Sequence, residues 1–249
     1  MSAYATLVRP DRAYLWTDGA FYDADTRLIG VGRKSHPVEG QRMAVTGRGG
    51  GALAKWFASM LAMRGLTIDD LAADGEAITT EFLEDSRDYI EGLPVRQATD
   101  LVVVGWSERQ SKPLVVLRTT WPEADGVLFK VGECFSAPAI SPKAGRRLAI
   151  RLGVSSAAEA DPRAYGLSLM EIMRSTPGDA KLGFDGVYAV GGHVLETVVT
   201  AEGVASQTIH TWPDEIGEQI APFDRKQVLR AASGFDATKS NIIALEIAR

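Results

Sequence analysis

Cysteine is nearly absent from this chain: Cys134 is the only one among 249 residues, and the sequence has only three histidines. A single cysteine excludes an intramolecular disulfide. The sequence has no cluster of cysteines and no pair of histidines at ligand spacing, so we expect no zinc site. Such sparing use of cysteine is typical of a reducing compartment, and we expect a cytoplasmic protein.

Long hydrophobic runs are also missing. The longest apolar stretches, such as residues 101–104, fall far short of the roughly 20 residues that cross a bilayer. Near the start, Arg9, Pro10 and Asp11 interrupt the apolar run that a secretory signal requires. We therefore expect no secretory signal, no membrane-spanning segment and no membrane partner.

The chain has no excess of positive charge. It contains 27 Lys and Arg against 32 Asp and Glu, for a net charge of -5. A mildly acidic protein lacks the broad basic face that binds nucleic acid, so we expect no nucleic-acid partner. The hydrophobic fraction of 45% and the charged fraction of 24% are those of an ordinary folded domain.

The first half of the sequence changes from strand-like to helix-like patterns. Short apolar runs beside turn residues predict strands at 3–8, 13–17, 28–32 and 43–46. A helix is predicted over residues 51–64, because apolar side chains recur there at the spacing of one helical face. A second helix is predicted over residues 68–90.

The second half repeats this order. Strands are predicted at 100–107, 113–118 and 127–134. Ser141-Pro142 and Asp161-Pro162 each have the cap-and-proline pattern that opens a helix. Further strands are predicted at 187–190, 193–200 and 205–211, followed by a short helix at 225–232 and a terminal strand at 242–247.

Strands and helices therefore arrive in blocks, which favours an α+β fold over a doubly wound sheet. A four-layer arrangement, with two sheets between helix pairs, would bury both sheets. We expect residues 1–213 to form one domain, and residues 214–249 to form a C-terminal extension on or beside it.

Three polar residues near the start are candidates for chemistry. Ser2 precedes the small Ala3, and aminopeptidases that remove the initiator Met1 accept small second residues. We therefore expect Ser2 to become the first residue of the mature chain. Asp18 follows Ser2 by sixteen positions, and Lys34 follows Asp18 by sixteen more.

With these residues the sequence resembles the proteasome β-subunit type of N-terminal-nucleophile (Ntn) hydrolases, including the peptidase subunit of the bacterial ATP-dependent proteasome-like protease. In that family the nucleophile is the first residue of the mature chain. An Asp follows after sixteen positions and a Lys after sixteen more. The order of predicted elements is similar up to about Thr211. The resemblance implies a four-layer αββα sandwich that hydrolyses amide bonds, in peptides above all.

The resemblance also implies a role for each residue. Ser2 attacks the carbonyl, and its own α-amine, with an ordinary pKa near 7.7–8.0, accepts the proton. Lys34 lowers the proton affinity of that amine, and Asp18 orients Lys34 and offsets its charge. In the glycine-rich stretch 47–51, Gly47 is the first candidate donor to the oxyanion and Gly49 the next.

Parts of the family pattern differ here. Asp185, ahead of Gly191-Gly192, is the nearest match to the family's late Asp, and Asp179 competes with it. Phe135-Ser136-Ala137 stands where the family has a Gly-Ser-Gly loop. Ser2 stands where the proteasome group usually has Thr.

Two alternatives stay open. The same fold serves as a catalytically inactive structural or assembly subunit in proteasome α-type subunits. Cys134 paired with a histidine is the other nucleophile that the residues allow. In the structural interpretation, Asp18 is a turn residue at a strand end and Lys34 is a solvated charge.

The resemblance further implies the partners of the protein. A peptide or amide is the expected substrate, and the chemistry needs no metal and no organic cofactor. Proteasome-type subunits work in rings, so a homo-oligomer with an enclosed chamber is expected.

Overall fold

The computed structural model describes residues 3–23, 25–93, 99–120, 129–132, 135–178 and 186–222. The elements predicted at 225–232 and 242–247 lie outside these residues, as does Cys134. The strands are β1 (Tyr4–Val8), β2 (Arg12–Asp18), β3 (Ala20–Tyr22), β4 (Leu28–Val31), β5 (His36–Pro37), β6 (Met43–Arg48), β7 (Asp100–Ser107), β8 (Lys112–Thr119), β9 (Phe129–Gly132), β10 (Ser136–Ala137), β11 (His193–Thr200) and β12 (Gly203–Thr211). The helices of the described residues are α1 (Leu53–Arg64), α2 (Ile68–Asp85), α3 (Arg87–Glu91), α4 (Pro142–Leu152) and α5 (Pro162–Arg174).

The strands form two five-stranded antiparallel sheets and one separate hairpin. The first sheet has the order β10-β1-β2-β11-β12, and the second has the order β5-β6-β7-β8-β9. The hairpin pairs β3 with β4. The predicted α+β class is thereby confirmed, because the sheets are antiparallel and the helices follow the strands in blocks.

Helices α1 and α2 cover the second sheet. Phe57 and Leu61 of α1 and Leu71 of α2 are fully buried in one cluster with Val103 of β7. Helix α2 begins at Thr67, whose hydroxyl accepts from the Asp70 amide while the Asp70 carboxylate accepts from Thr67. This reciprocal cap satisfies backbone groups that the first turn leaves unpaired.

Helix α5 packs on the first sheet. Met170 and Met173 are buried in a second cluster with Trp16 of β2. At Gly166 the helix approaches the Trp16 indole so closely that a β-carbon would overlap the ring. Glycine is required here by packing, and it lets α5 lie directly on β2.

A third buried cluster contains side chains of both sheets. Leu15 of β2 and Val199 of β11 belong to it, together with Val102 and Val104 of β7 and Val115 of β8. The alternation along β7 explains how one strand serves two clusters, since Val102 and Val104 point to one face and Leu101 and Val103 to the other.

Two predicted elements are wrong. The helix predicted over residues 68–90 divides at Ser86, where φ -94° and ψ 7° leave the helical region. The strand predicted at 187–190 is absent, since that described segment forms neither strand nor helix. The short strands β3, β5 and β10 are additions that the apolar pattern did not predict.

Among the described residues, no helix has both the length and the apolar character needed to cross a membrane.

Candidate functional site

Asp18 lies at the end of β2, where the first strand of the chain begins beside it. Its side chain is fully buried. The Ala3 amide donates to Asp18 Oδ1 at 2.8 Å, and the Ala20 amide donates to Oδ2 at 3.1 Å. The Asp18 amide in turn donates to the Ala3 carbonyl at 3.2 Å. The carboxylate therefore fixes the start of β1 against the end of β2.

Lys34 faces the same carboxylate. Its Nζ atom lies 2.9 Å from Asp18 Oδ1 and 2.9 Å from Oδ2. The side chain is only 6% exposed, and the Phe21 ring covers the ammonium with its centroid 5.2 Å away. Two of the three residues that the spacing singled out, Asp18 and Lys34, are thus in direct contact.

Burial sets the electrostatics of this pair. Desolvation lowers the pKa of Lys34 below its ordinary value, and the Asp18 charge and hydrogen bonds oppose that effect. A buried ammonium is held in its charged form by its counter-ion. The charge of Lys34 therefore depends on Asp18.

Ser2, the proposed nucleophile, lies outside the described residues, and so do Asp185 and Asp179. Their roles stay predictions. Ala3 is the residue that follows Ser2 in the chain, and its peptide nitrogen is one of the donors to Asp18.

Gly47 lies within β6 and pairs with Leu101, so it belongs to a strand where a glycine-rich loop was predicted. Strand β6 runs beside the Lys34 segment, because the Thr46 hydroxyl donates to the Lys34 carbonyl at 2.8 Å. A β-carbon at Gly47 would overlap the Asp100 carbonyl oxygen. The close packing of β6 on β7 therefore requires a glycine at position 47, whether or not its amide contacts an oxyanion. Gly49, with φ +104°, follows the strand in the left-handed region.

Ser136, the substitute for the serine of the family's loop, lies in β10 at the edge of the first sheet. It pairs with Ala5, two residues beyond Ala3. Phe135 is fixed to Thr6 by bonds in both directions, at 2.7 Å and 2.8 Å. The segment 135–137 therefore contacts β1 near the site but pairs with residues farther along the strand.

His193 is a nearby residue that no sequence motif marks. It begins β11, and its ring packs on Gly19 so closely that a β-carbon there would overlap it. Among the described residues its buried Nε2 has no hydrogen-bond partner. Burial lowers the pKa of His193, while Asp18 raises it and Lys34 lowers it further. The net effect is a lowered pKa, which favours the neutral imidazole.

A second buried ion pair was also missed. Arg174, at the end of α5, contacts both oxygens of Asp214, at 2.6 Å and 2.9 Å. The two residues are forty positions apart, and no sequence motif links them. The only signal in the sequence near this pair was Gly191-Gly192, whose backbone lies against it.

In the described part of the chain, no group of three or more His, Cys, Asp or Glu side chains is placed to hold a metal ion. Comparison of the chain with protein-family models and with curated proteins finds no match in either.

Proposed function

We propose that the protein is an Ntn-type hydrolase of amide bonds, built as a four-layer αββα sandwich, with Ser2 as its nucleophile. One observation supports this most strongly. Asp18 Oδ1 accepts from Lys34 Nζ at 2.9 Å and from the Ala3 amide at 2.8 Å. A buried cation and the residue next to Ser2 thus share a single oxygen atom.

Three of the buried apolar clusters support the four-layer proposal. One lies between helices α1 and α2 and the second sheet, and another lies between α5 and the first sheet. The third contains side chains of both sheets. Two sheets that share a core, each with helices against its other face, make up four layers.

The chemistry proceeds from a free α-amine on Ser2. That amine accepts the hydroxyl proton as Oγ attacks the carbonyl carbon of the substrate. The carbon–nitrogen bond then breaks, and the departing amine takes the proton. Water hydrolyses the resulting ester and restores Ser2. The positive charge of Lys34 favours the neutral, basic form of the Ser2 amine.

Gly47 is proposed to donate its amide to the oxyanion. Its neighbour Thr46 is bonded to the Lys34 backbone, so β6 and the ion pair are fixed relative to each other. Rigid placement of a donor before the reaction is what makes such a contact effective. Asp185 is proposed to support the site from the segment ahead of Gly191.

A catalytically inactive structural subunit is the second candidate, and the hydrogen bonds of Asp18 favour it. That carboxylate already accepts hydrogen bonds from Ala3, Ala20 and Lys34. These bonds would stabilise the fold even if Asp18 took no part in catalysis. In both cases the family resemblance implies a homo-oligomer.

A reactive electrophile and whole-protein mass spectrometry test the proposal without knowledge of the substrate. The purified chain is weighed before and after incubation with a β-lactone, which acylates an activated hydroxyl. We expect the mass to lack Met1 and to gain one acyl group. The Ser2→Ala variant should gain none, and Ser2→Thr should be acylated. Retention of Met1, or equal labelling of Ser2→Ala, would refute the hydrolase and favour the structural subunit.

A further inference from the structure

The segment Ala189–Gly192, which we call the glycine turn, is held by polar contacts along its length. The Tyr22 hydroxyl donates to the Ala189 carbonyl, and Arg174 donates to the Val190 carbonyl at 2.8 Å. The Gly191 carbonyl accepts from Gly19 at 3.0 Å, and the Gly192 carbonyl accepts from Trp212 at 2.9 Å. Each of the four backbone carbonyls of the glycine turn therefore accepts a hydrogen bond, although the segment belongs to no strand.

Asp214 is the centre of this arrangement. Its Oδ2 accepts from the Gly192 amide at 2.7 Å and from Arg174 at 2.9 Å, and its Oδ1 accepts from Arg174 at 2.6 Å. The Arg174 and Asp214 side chains are 7% and 2% exposed. The Trp212 ring covers the guanidinium at 4.8 Å. A buried pair with such geometry fixes the backbone that it contacts.

Residues 214–222, which we call the C-terminal strap, continue from Asp214 to the β3–β4 hairpin. The Leu28 amide donates to the Glu218 carbonyl at 2.9 Å, and the Gly217 amide donates to the Leu28 carbonyl at 2.7 Å. Gln219 donates to Asp25 and Thr26. The strap is therefore bonded to the hairpin that places Phe21 over Lys34.

The glycine turn fits closely against the strap. A β-carbon on Gly191 would lie 2.6 Å from Asp214 Oδ2 and would overlap the end of the Ile220 side chain. Gly192 has φ +73°, a conformation that glycine adopts readily. The turn and the strap consequently have little freedom to move independently.

The two segments that the strap contacts, the glycine turn and the β3–β4 hairpin, also contact the Asp18–Lys34 pair. From the glycine turn, the Gly191 amide points to Asp18 Oδ2 at 3.5 Å, and the Gly191 carbonyl holds Gly19, the residue after Asp18. From the hairpin, the Ala20 amide donates to the same Oδ2 and Phe21 covers Lys34. The strap thus joins the two segments that enclose the ion pair.

The geometry points to Asp214 and Arg174 as positioning residues of the site, with the C-terminal strap as an integral part of it. This inference rests on the proposed function. The pair acts through the glycine turn and not through contact with substrate. Asp18 is one of the charges near the Arg174–Asp214 pair. Burial raises the pKa of Tyr22, and the carboxylates of Asp18 and Asp214 raise it further. His210 packs against the Trp212 ring, and burial and the Arg174 charge lower its pKa.

The test compares Asp214→Asn with Glu218→Gln, a matched amide substitution at an exposed carboxylate of the same strap. Acylation by the β-lactone is followed as a function of pH, and amide hydrogen exchange is followed over residues 189–194. We expect Asp214→Asn to slow acylation at least tenfold and to speed exchange in the turn. Glu218→Gln should leave both unchanged.

Acylation could slow because the site is mispositioned or because less of the protein is folded. The pH midpoint of acylation distinguishes these two causes. In Asp214→Asn the positive charge of Arg174 is no longer offset by a carboxylate. That charge disfavours the protonated α-amine of Ser2, so the pH midpoint of acylation should move to lower pH. The double variant Arg174→Gln/Asp214→Asn should return the midpoint towards the wild-type value while acylation stays slow. A rate that falls only with the folded fraction, at an unmoved midpoint, would overturn the inference.

Two provisions keep the outcome decisive. Where Asp214→Asn yields no folded protein, Gln219→Ala loosens the strap at an exposed residue and should raise exchange in the hairpin and slow acylation. Unchanged rates in that variant would count against the strap. If the wild type is never acylated, the hydrolase proposal fails, but exchange still reports whether Asp214 holds the turn. Unchanged exchange in Asp214→Asn would then overturn the positioning claim on its own.

Discussion

The Lys34 ammonium lies 2.9 Å from each carboxylate oxygen of Asp18, and neither side chain is more than 6% exposed. Two charges removed from water in this way depend on each other. Loss of one leaves the other buried and uncompensated, which costs more than the pair contributes. The stability of the site should therefore respond differently to single and double substitutions.

Lys34→Met should destabilise the fold by about 3–5 kcal/mol, because it leaves the Asp18 carboxylate buried without a counter-ion. The double variant Lys34→Met/Asp18→Asn should recover much of that loss. Urea unfolding measures both. The control is Arg64→Met, which breaks an exposed pair with Glu81 and should cost far less, because water screens exposed charges. Equal effects of Lys34→Met and Arg64→Met would contradict the account.

Stability should fall when the pH drops from 7.5 to 5.5. Burial lowers the pKa values of His36, His193 and His210 in the folded protein. Below pH ~6.5, the ordinary histidine value, the unfolded chain binds protons that the folded chain does not bind, and unfolding is favoured. Above that pH this contribution is fully present and constant.

The unfolding free energy in urea at pH 7.5, 6.5 and 5.5 measures this effect. Replacing all three histidines by Gln should flatten the profile in this window. The carboxylates whose pKa values are lowered, such as Asp70, lose their contribution only in more acidic solution. A profile that keeps its slope without the histidines would show that other groups titrate here.

Gly47→Ala should unfold at a lower temperature than the wild type, because its methyl group would overlap the Asp100 carbonyl. Overpacking of this kind costs about 1–3 kcal/mol. Gly30 is a matched strand glycine in β4 with open space around its would-be methyl group. Gly30→Ala should therefore melt at or slightly above the wild-type temperature. If both variants melt alike, the close packing of β6 on β7 is not as described.

The helices and the core strands could be predicted because their signal is local. Phe57 and Leu61 recur at helical spacing, and both are fully buried. Trp56, the residue before Phe57, is also apolar, yet it is 44% exposed and packs edge-on against Tyr89. The spacing of apolar residues therefore predicts the centre of a buried helix face more reliably than the residues at its edges.

The segment 187–190 was predicted as the first of three consecutive antiparallel strands joined by turns that contain glycine. Val190 is indeed buried, but its carbonyl accepts from Arg174 instead of a neighbouring strand. Strand β3 was missed for the opposite reason, since three residues are too few to show alternation. Both errors arise because tertiary partners decide whether a short run joins a sheet.

The contact of Asp18 with Lys34 was anticipated only through the family resemblance, since a spacing of sixteen residues has no geometric meaning by itself. The pair forms because Lys34 follows a hairpin whose start and end are joined by the bond from Gly32 to Gly19. The Arg174–Asp214 pair has no comparable sequence signal. Polar partners forty residues apart are invisible to any periodicity.

The most direct test of the central claim changes only which residue bears the free amine. The chain is released from a cleavable N-terminal fusion in two forms, one that begins at Ser2 and one with a single glycine ahead of Ser2. The hydroxyl and the Asp18–Lys34 pair are present in both. The account predicts that the β-lactone acylates Ser2 only in the form that begins there. Equal acylation of both forms, or of neither, would contradict it.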